Sequence, residues 1–254
     1  EILDINDNKD NTSLDKSLIG RNVISYSSHR DCFILGETDF KIIVPESSLL
    51  PELSLTYLYH LPLSALIKAG YKYADRIFIY GSGVIALAAV QLTRRLGYEP
   101  FCFTNIADRA ELLLNAGAKD VFICDEYKKR GKKIESDIAI ITSNSWSNWK
   151  LALKNASPYS RICILGNPGR NEVIKSDFNP LDPIYTYSKQ LKIYFCGSLV
   201  QQPDKRSILR NTEFQNMNKL VQDVSSGILD SSILISDFYK WSNLNDAYVR
   251  LDNR

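Results

Sequence analysis

The fold of this chain is decided by one run in its first half, Arg76-Ile77-Phe78-Ile79-Tyr80-Gly81-Ser82-Gly83-Val84-Ile85-Ala86. The apolar stretch before Gly81 is typical of a buried β-strand. The apolar pattern from Val84 onward is typical of a helix, and it ends near Leu96, just before Gly97. A glycine-rich turn between a buried strand and a helix is typical of α/β proteins.

The segments after this turn alternate between apolar strands and helices. The pattern predicts strands at residues 76–80, 100–103, 121–123, 138–141, 161–165 and 191–196, and helices at 84–96, 108–115 and 148–155. Strands that are continuous apolar runs are typical of a parallel sheet covered by helices on both faces. We therefore predict an α/β fold with a doubly wound, parallel six-stranded Rossmann sheet over residues 76–200.

The spacing Gly81-x-Gly83-x-x-Ala86 indicates a ligand at the turn. Gly81 lets the chain leave the strand sharply, and Gly83 has no side chain, so that a pyrophosphate can approach the amides at the helix N terminus. Ala86 stands where a third glycine is usual, and it is small enough for close packing. A glycine turn that merely joins strand and helix is the alternative, but the strand–turn–helix context favours dinucleotide binding.

The residue after the second strand discriminates between cofactors. An Asp or Glu there would bind the ribose hydroxyls and select NAD. This position falls on Thr104, with Asn105 next to it and Arg109 about one turn further on. A hydroxyl or amide with a nearby arginine favours the 2′-phosphate of NADP, and NAD stays an alternative. Thr104 as a mere helix-start residue, with Asp108 as the helix cap, is the other interpretation.

A smaller unit is predicted from the two ends of the chain. Residues 1–18 form a polar lead-in, and residues 19–70 a β-rich unit that residues 234–254 complete, beside a Rossmann domain of residues 71–233. The predicted elements outside the Rossmann sheet are strands at 22–26, 32–35, 40–44 and 234–237, a helix that ends at Gly70, and helices at 214–224 and 243–251.

The composition argues against several classes of function. Basic residues number 31 and acidic residues 29, so that the formal net charge of +2 indicates no nucleic-acid or membrane partner. None of the five cysteines lies at a C-x-x-C spacing, which favours a reducing, cytoplasmic location over disulfides. The chain begins at Glu1 and its only methionine is Met217, which leaves open that it is an excised part of a larger protein.

Residues 75–97 resemble the start of the cofactor domain in medium-chain dehydrogenases/reductases. This superfamily contains the zinc alcohol dehydrogenases and the quinone reductases. Further similar segments follow in the family's order at 109–121, 137–145, 161–169 and 238–248. The resemblance implies a small, truncated GroES-like β-rich unit in front of the Rossmann domain.

The sequence departs from this family at the zinc sites. No Gly-His-Glu motif occurs, and the only histidines are His29 and His60. The closely spaced cysteines of the family's structural zinc lobe are missing as well. Since a zinc site needs three or four converging Cys, His or carboxylate ligands, we predict that the protein binds no metal. The part of the chain before Arg76 is also much shorter than is usual for the family.

The resemblance implies which residues contact the cofactor. Besides Gly81 and Gly83, the turn contributes Ser82, Val84 and Ile85. Nicotinamide contacts are expected after the fourth, fifth and sixth strands, where an open α/β sheet binds its ligands, from Ser143, Asn144, Gly166, Asn167, Gly197 and Ser198.

His60 is the candidate proton donor, because histidine titrates near neutrality and His60 lies beside the helix that frames the family's substrate cleft. Tyr59 is a second catalytic candidate, and Tyr26 and Tyr57 are further hydrogen-bond donors. Packing against aromatic side chains is nevertheless the more common role of such a histidine, and also of the tyrosines. His29 is expected in a surface loop.

Two functions are compatible with these features. The first is a metal-independent, NAD(P)-dependent oxidoreductase that transfers hydride to a small carbonyl or activated alkene in a biosynthetic pathway. The second is a non-catalytic Rossmann module that binds a nucleotide or a partner, as a pseudoenzyme or as a domain of a larger biosynthetic enzyme. S-adenosylmethionine binding is disfavoured by the missing acidic residue after the second strand. The resemblance also implies a homodimer paired through the strand at 191–196.

Overall fold

The structure, a computed structural model, describes residues 1–4, 16–27, 32–36, 39, 41–45, 49–129, 134–167, 178–197 and 212–252. Its strands are β1 (Val23–Ser25), β2 (Lys41–Ile43), β3 (Ile77–Tyr80), β4 (Phe101–Thr104), β5 (Asp120–Ile123), β6 (Ser136–Ile141), β7 (Ala156–Ile164) and β8 (Lys192–Phe195). Its α-helices are α1 (Leu50–Ser54), α2 (Thr56–Ala69), α3 (Val84–Arg95), α4 (Ala110–Asn115), α5 (Cys124–Lys129), α6 (Trp146–Asn155), α7 (Thr186–Lys189), α8 (Glu213–Ser225) and α9 (Leu244–Asp252). Short 3-10 helices lie at Lys16–Leu18, Ala107–Arg109, Ser231–Leu234 and Trp241–Asn243.

Strands β3 to β8 form one parallel sheet in the order β5-β4-β3-β6-β7-β8. The predicted six-stranded, doubly wound sheet is therefore confirmed. The chain moves outward from β3 through β4 to β5 and then returns to place β6 on the other side of β3. Open α/β sheets bind ligands at such a switch point, beyond the carboxyl ends of the strands.

Helices cover both faces of this sheet. In β3, Ile77 and Ile79 belong to a core shared with α2, α3 and α8, whereas Phe78 and Tyr80 belong to a second core on α6. Each of the four residues is at most 1% exposed. Successive side chains of a strand point to opposite faces, so a strand that is buried on both faces must be apolar throughout.

Helix α2 runs antiparallel to the strands beneath it. The Sγ of Cys163, near the carboxyl end of β7, lies 3.5 Å from the Ala65 carbonyl, whereas Arg161, further back in the strand, donates to the Gly70 carbonyl at 2.8 Å. The N-terminal half of α2 therefore lies toward the carboxyl ends of the strands. Gly70 ends the helix with a φ of +61°, which confirms the predicted terminal glycine.

The strand predicted at residues 32–35 is wrong. These residues lie in no regular element, and β1 pairs directly with β2 in antiparallel fashion, with Val23 opposite Ile43. The Gly36 amide donates to the Asp39 carboxylate at 2.6 Å, and the Lys41 Nζ donates to the Gly36 carbonyl at 2.8 Å. The backbone after residue 35 is thus satisfied by a local turn, and the apolar run before it is left outside the β1–β2 pair.

The strand predicted at residues 234–237 is also wrong. Ser231–Leu234 forms a 3-10 helix, and residues 235–237 lie in no regular element. The Asp230 carboxylate accepts a hydrogen bond from the Ser232 amide at 3.0 Å, and this side-chain bond starts a helical turn where a strand was expected. Ile233 and Leu234 pack half-buried on the core, so the apolar character of the segment reflects packing.

Candidate functional site

Gly81 holds the glycine turn against the sheet in a conformation that favours glycine. Its φ is +134°, which side chains rarely allow. A Cβ atom there would overlap the Oγ1 of Thr142 and lie 3.3 Å from the Ser143 amide nitrogen. The Gly81 amide donates to the Phe103 carbonyl at 2.9 Å. The turn is therefore bonded to the end of β4 and packed on the end of β6.

Gly83 has a different role from Gly81. Its φ of −80° and ψ of −176° are extended values that any residue adopts, and no described heavy atom lies within 4 Å of the position that a Cβ would take. The residue faces open space in front of α3. This helix has no side-chain cap and no acidic residue in its first turn, so its first amides lack intrahelical partners and no carboxylate repels an anion. These features fit a pyrophosphate group.

The remaining residues of the turn lie where the sequence predicts them. Val84 and Ile85 form the first turn of α3, and they present their backbone amides to the open space. Ser82 is half-buried, and its Oγ accepts a hydrogen bond from the Thr104 hydroxyl at 2.9 Å. Thr104 is completely buried at the end of β4, and its hydroxyl also accepts from the Ile106 amide at 3.0 Å. Thr104 thus ties the second strand to the glycine turn.

Asn105 and Arg109 are the polar side chains beyond Thr104. Asn105 is exposed, and Arg109 is half-buried at the end of the 3-10 helix. The interpretation of Asp108 as a helix cap is wrong, because Ile106 occupies the cap position and Asp108 lies inside the 3-10 helix. With the Thr104 hydroxyl already engaged, Asn105 and Arg109 are the predicted ribose-binding side chains that are at least partly exposed here.

The ends of β6 and β7 meet beside the glycine turn. A Cβ on Gly166 would lie 2.6 Å from the Ser143 carbonyl oxygen, so this contact requires glycine. The Ser143 Oγ accepts a hydrogen bond from the Asn148 Nδ2 at 2.9 Å, which anchors it to α6. Asn144 and Asn167 are exposed at the same edge. The structure therefore brings the predicted residues after the fourth and fifth strands together.

Gly197 follows β8, and no described heavy atom lies within 4 Å of the position that a Cβ would take there. Ser198 lies outside the described residues, and so does His29. Of the residues predicted to contact the nicotinamide, all except Ser198 are therefore located, and they lie at the carboxyl edge of the sheet.

Tyr59 is fully enclosed in the core. It is 0% exposed, and its hydroxyl donates to the Gln91 Oε1 on α3 at 3.2 Å. Gln91 is also bound to the Asp230 backbone, with its Nε2 donating to the carbonyl at 2.8 Å. Burial raises the pKa of Tyr59 to about 12. These contacts favour a packing role, and catalysis by Tyr59 stays a prediction.

His60 lies beside one carboxylate in a cluster that is buried at His60 and Glu213 but 47% exposed at Tyr26. Its Nε2 is 3.8 Å from the Oε1 of Glu213, and both residues are only 3% exposed. The Tyr26 hydroxyl donates to the same carboxylate oxygen. Tyr57 lies against both rings, with its centroid 5.2 Å from that of Tyr26 and 5.8 Å from that of His60. We call these four residues the His60 cluster.

Burial and the neighbouring charges have opposing effects on the pKa of His60. Burial lowers the pKa of His60, the Glu213 carboxylate raises it, and the Lys68 ammonium lowers it, so that the neutral form is favoured overall. Burial, and next the Glu213 carboxylate, raise the pKa of Tyr26 far above its usual value, so that Tyr26 stays a donor. The Nδ1 of His60 is buried and has no hydrogen-bond partner among the described residues. Leaving a buried polar atom unpaired costs about 1–3 kcal/mol.

Glu213 is the residue that sequence reasoning missed. Thr212 and Gln215 form a capping box at the start of α8, and this motif can be recognised in the sequence. It places Glu213 in the first turn of the helix, where an acidic residue complements the helix dipole and is normally solvated. Nothing in the local pattern indicates that Glu213 is buried against His60.

The sheet order and the open glycine turn at its switch point define a Rossmann fold. No protein-family model matches the chain. Among curated proteins, it is 22% identical over 225 residues to a sorbitol dehydrogenase of Bacillus subtilis, which covers 86% of this chain and 58% of that protein. The chain thus spans little more than half the length of this relative.

Solved structures with the same fold include a dehydrogenase and a reductase. A short chain alcohol dehydrogenase from E. coli, complexed with NADH, aligns with a TM-score of 0.63 at 17% identity, over 84% of this chain and 58% of that one. An acetophenone reductase from Geotrichum candidum, in complex with NAD, aligns with a TM-score of 0.63 at 18% identity, over 84% of this chain and 55% of that one. At these identities the likeness establishes the fold.

In the part of the chain that the structure describes, no group of three or more His, Cys, Asp or Glu residues is placed to hold a metal ion. Whether the protein works without a metal stays a prediction. None of the helices within the described ranges is both long enough and apolar enough to cross a membrane.

Proposed function

We propose that the protein is a medium-chain dehydrogenase/reductase that transfers hydride between a nicotinamide cofactor and a small carbonyl compound or activated alkene, without a metal. The observation that carries this proposal is the open glycine turn. Gly83 leaves free space in front of a helix N terminus, at the switch point of a six-stranded parallel sheet. The ordered resemblance along residues 75–248 and the dehydrogenases with the same fold support it.

The residues at the carboxyl edge have distinct roles in this proposal. The amides after Gly83 hold the pyrophosphate, and Ser82 buttresses the turn through Thr104. Asn105 and Arg109 meet the adenosine ribose, and the cation of Arg109 favours NADP over NAD. The nicotinamide lies along the strand ends, against the set Ser143, Asn144, Gly166, Asn167, Gly197 and Ser198.

The bound cofactor supplies the hydride, and the chain has to supply the proton and exclude water. His60 is the group that gives or takes the proton, because it is kept neutral near a carboxylate and has an unpartnered ring nitrogen. Tyr59 is the second candidate. The short N-terminal unit, residues 19–70 completed by 234–254, contributes His60 to the Rossmann domain of residues 71–233, while residues 1–18 form a lead-in.

We also propose a cytoplasmic homodimer. β8 is an edge strand of the sheet, and Phe195 on it is 69% exposed. An edge strand carries unpaired backbone groups that a second copy can complete. Static light scattering tests this, and a monomer at high micromolar concentration would refute the dimer.

A non-catalytic role is the second candidate function. It is favoured by the burial of both catalytic candidates, since His60 is 3% exposed and Tyr59 is 0% exposed. In that case the Rossmann domain binds a nucleotide or a partner and performs no turnover.

Calorimetric titration with NADPH, NADH and S-adenosylmethionine separates these functions. We expect NADPH to bind most tightly, and turnover to appear on a panel of aldehydes, ketones and enones. Binding without turnover would favour the second function, and no binding of either nicotinamide nucleotide would eliminate the first. Gly83→Asp should abolish binding, because its carboxylate would occupy the pyrophosphate position.

A further inference from the structure

The His60 cluster contains two polar groups, the Glu213 carboxylate and the Tyr26 hydroxyl, that a histidine packed in a core does not require. We propose that Glu213 and Tyr26 are positioning residues that keep the proton of neutral His60 on Nε2, so that the bare Nδ1 accepts a hydrogen bond from a hydroxyl group of a bound ligand. This inference rests on the proposed function, because the hydroxyl belongs either to an alcohol substrate or to a ribose of the cofactor.

The geometry at Nε2 selects the tautomer. The Glu213 Oε1 lies 3.8 Å away, which is too far for a hydrogen bond but close enough for a strong electrostatic interaction at a buried site. A carboxylate favours the N–H side of the ring over the lone-pair side. The proton therefore belongs on Nε2, and Nδ1 carries the lone pair.

Tyr26 fixes the carboxylate in place. Its hydroxyl donates to the same Oε1 that faces His60, so the carboxylate cannot rotate away from the ring without losing this bond. Because Glu213 is 3% exposed, water competes little for it. Tyr26 follows β1, Glu213 begins α8 and His60 lies on α2, so that three separate elements hold one imidazole.

The cluster lies toward the ligand edge of the sheet. Ala65 on α2 is level with Cys163, one residue before β7 ends. His60 lies about 7.5 Å further along α2 toward its N terminus, at 1.5 Å per residue. Because α2 is antiparallel to β7 and a strand rises about 3.3 Å per residue, this displacement carries His60 to the level of Leu165, next to Gly166 at the edge where the nicotinamide is proposed to lie.

During alcohol oxidation, the hydroxyl group that donates to Nδ1 would pass its proton to this nitrogen, and the substrate carbon would lose its hydride to the oxidised cofactor. If that hydroxyl belongs to a ribose, it would take up the proton of the substrate alcohol in turn. The O–H bond breaks and an Nδ1–H bond forms, giving an imidazolium that faces Glu213, and the reverse transfer protonates the oxygen in carbonyl reduction. The charged groups that act on the ring are the Glu213 carboxylate on α8, 3.8 Å away, and the more distant Lys68 ammonium further along α2. The phenol of Tyr57 packs against the ring, and that of Tyr26 packs against Tyr57. The Glu213 carboxylate stabilises the imidazolium, and the Lys68 ammonium destabilises it.

Nitrogen NMR of the ¹⁵N-histidine-labelled protein tests the tautomer without any need for turnover. A His29→Gln variant assigns the remaining resonances to His60. We expect His60 to be neutral at pH 7 with its proton on Nε2. In Glu213→Gln and in Tyr26→Phe, we expect the tautomer population to shift toward Nδ1–H, more strongly in Glu213→Gln. Circular dichroism melts show whether each variant folds. One folded variant is enough to test the tautomer shift. A proton on Nδ1 in the unmodified protein, or no shift in a folded variant, would overturn the positioning role.

Ligand addition identifies the hydroxyl. If the ribose donates it, NADP⁺ alone should shift the Nδ1 resonance; if the substrate donates it, the shift should need an added alcohol from the turnover panel. Calorimetry in the same samples reports cofactor binding. Binding without any change at Nδ1 under either condition would overturn this inference alone, whereas the absence of binding would overturn the proposed function together with it.

Discussion

The glycine turn and the His60 cluster lie toward the same edge of the sheet and are built in opposite ways. The turn is a contiguous stretch of backbone, in which the φ of Gly81 and its close packing on Thr142 require glycine. The cluster joins side chains far apart in the chain, since Tyr26 and Glu213 are 187 positions apart. A site formed by local backbone is therefore visible as a motif, whereas a site formed by converging side chains is not.

Gly81→Ala is expected to have the largest effect, because it strains the turn. Alanine at a φ of +134° is unfavourable, and its Cβ would overlap Thr142. We expect the free energy of unfolding to fall by about 2–5 kcal/mol, measured by urea denaturation. An unchanged denaturation midpoint would show that the turn relaxes easily, and the comparison with Gly83 would lose its basis.

Gly83→Ala is the matched control and should affect binding instead. Its backbone suits alanine and its Cβ meets open space, so the stability change should stay below about 1 kcal/mol. The methyl group enters the space reserved for the pyrophosphate. We expect the affinity for nicotinamide nucleotides to fall at least tenfold, or about 1.4 kcal/mol, by calorimetry. Unchanged affinity would place the nucleotide elsewhere.

The stability of the His60 cluster should depend on pH. Burial lowers the pKa of His60 below its reference of 6.5, so between these two values the unfolded chain binds a proton that the folded chain does not. Stability contributed by neutral His60 is therefore complete above pH 6.5 and is lost as the pH falls, by up to about 1.4 kcal/mol per pH unit.

Denaturation between pH 5 and pH 8 measures this slope. His60→Gln should flatten it relative to the unmodified protein, and His29→Gln serves as the control. Equal slopes in the protein and in His60→Gln would mean that folding does not change the pKa of His60, and the claim that the fold favours its neutral form would fail.

Tyr59→Phe is expected to have the smallest effect. It removes the hydrogen bond to Gln91, but Gln91 keeps its bonds to the Asp230 backbone. We expect a loss of about 0.5–1.5 kcal/mol in unfolding free energy and little change in turnover. If turnover is instead lost while the protein remains folded, then Tyr59 is catalytic, and the active site extends into the hydrophobic core around Tyr59.

The sequence predicted the sheet well. Outside the sheet, the strands at 22–26 and 40–44 and the helices at 214–224 and 243–251 match the structure, and only the strands at 32–35 and 234–237 are wrong. The apolar strands of the Rossmann domain are buried on both faces, so burial by itself produces the pattern that identifies them. The segments at 32–35 and 234–237 also contain apolar residues, Phe33 to Leu35 in the first and Leu234 and Ile235 in the second. A local turn at Gly36 follows the first, a cap at Asp230 precedes the second, and neither segment forms a strand. An apolar segment is either buried or part of an exposed surface patch. Whether it forms a strand depends on which other strand lies beside it.

For the candidate cofactor site at the edge of the sheet, the sequence predicted the backbone positions but not the side-chain contacts. Gly81, Gly83 and Thr104 lie where the motif places them, because spacing along a strand–turn–helix unit determines geometry. The burial of the Thr104 hydroxyl against Ser82 was not predictable, since it depends on how β4 sits beside β3.

The sequence by itself determined the parallel sheet, the glycine turn and the edge at which a ligand would bind, because these follow from the periodicity of burial and from the backbone freedom of glycine. Only the tertiary structure decided that Glu213 faces His60 and that Nδ1 is left without a partner. Side-chain convergence depends on how helices pack across the sheet, and that packing follows from the whole core.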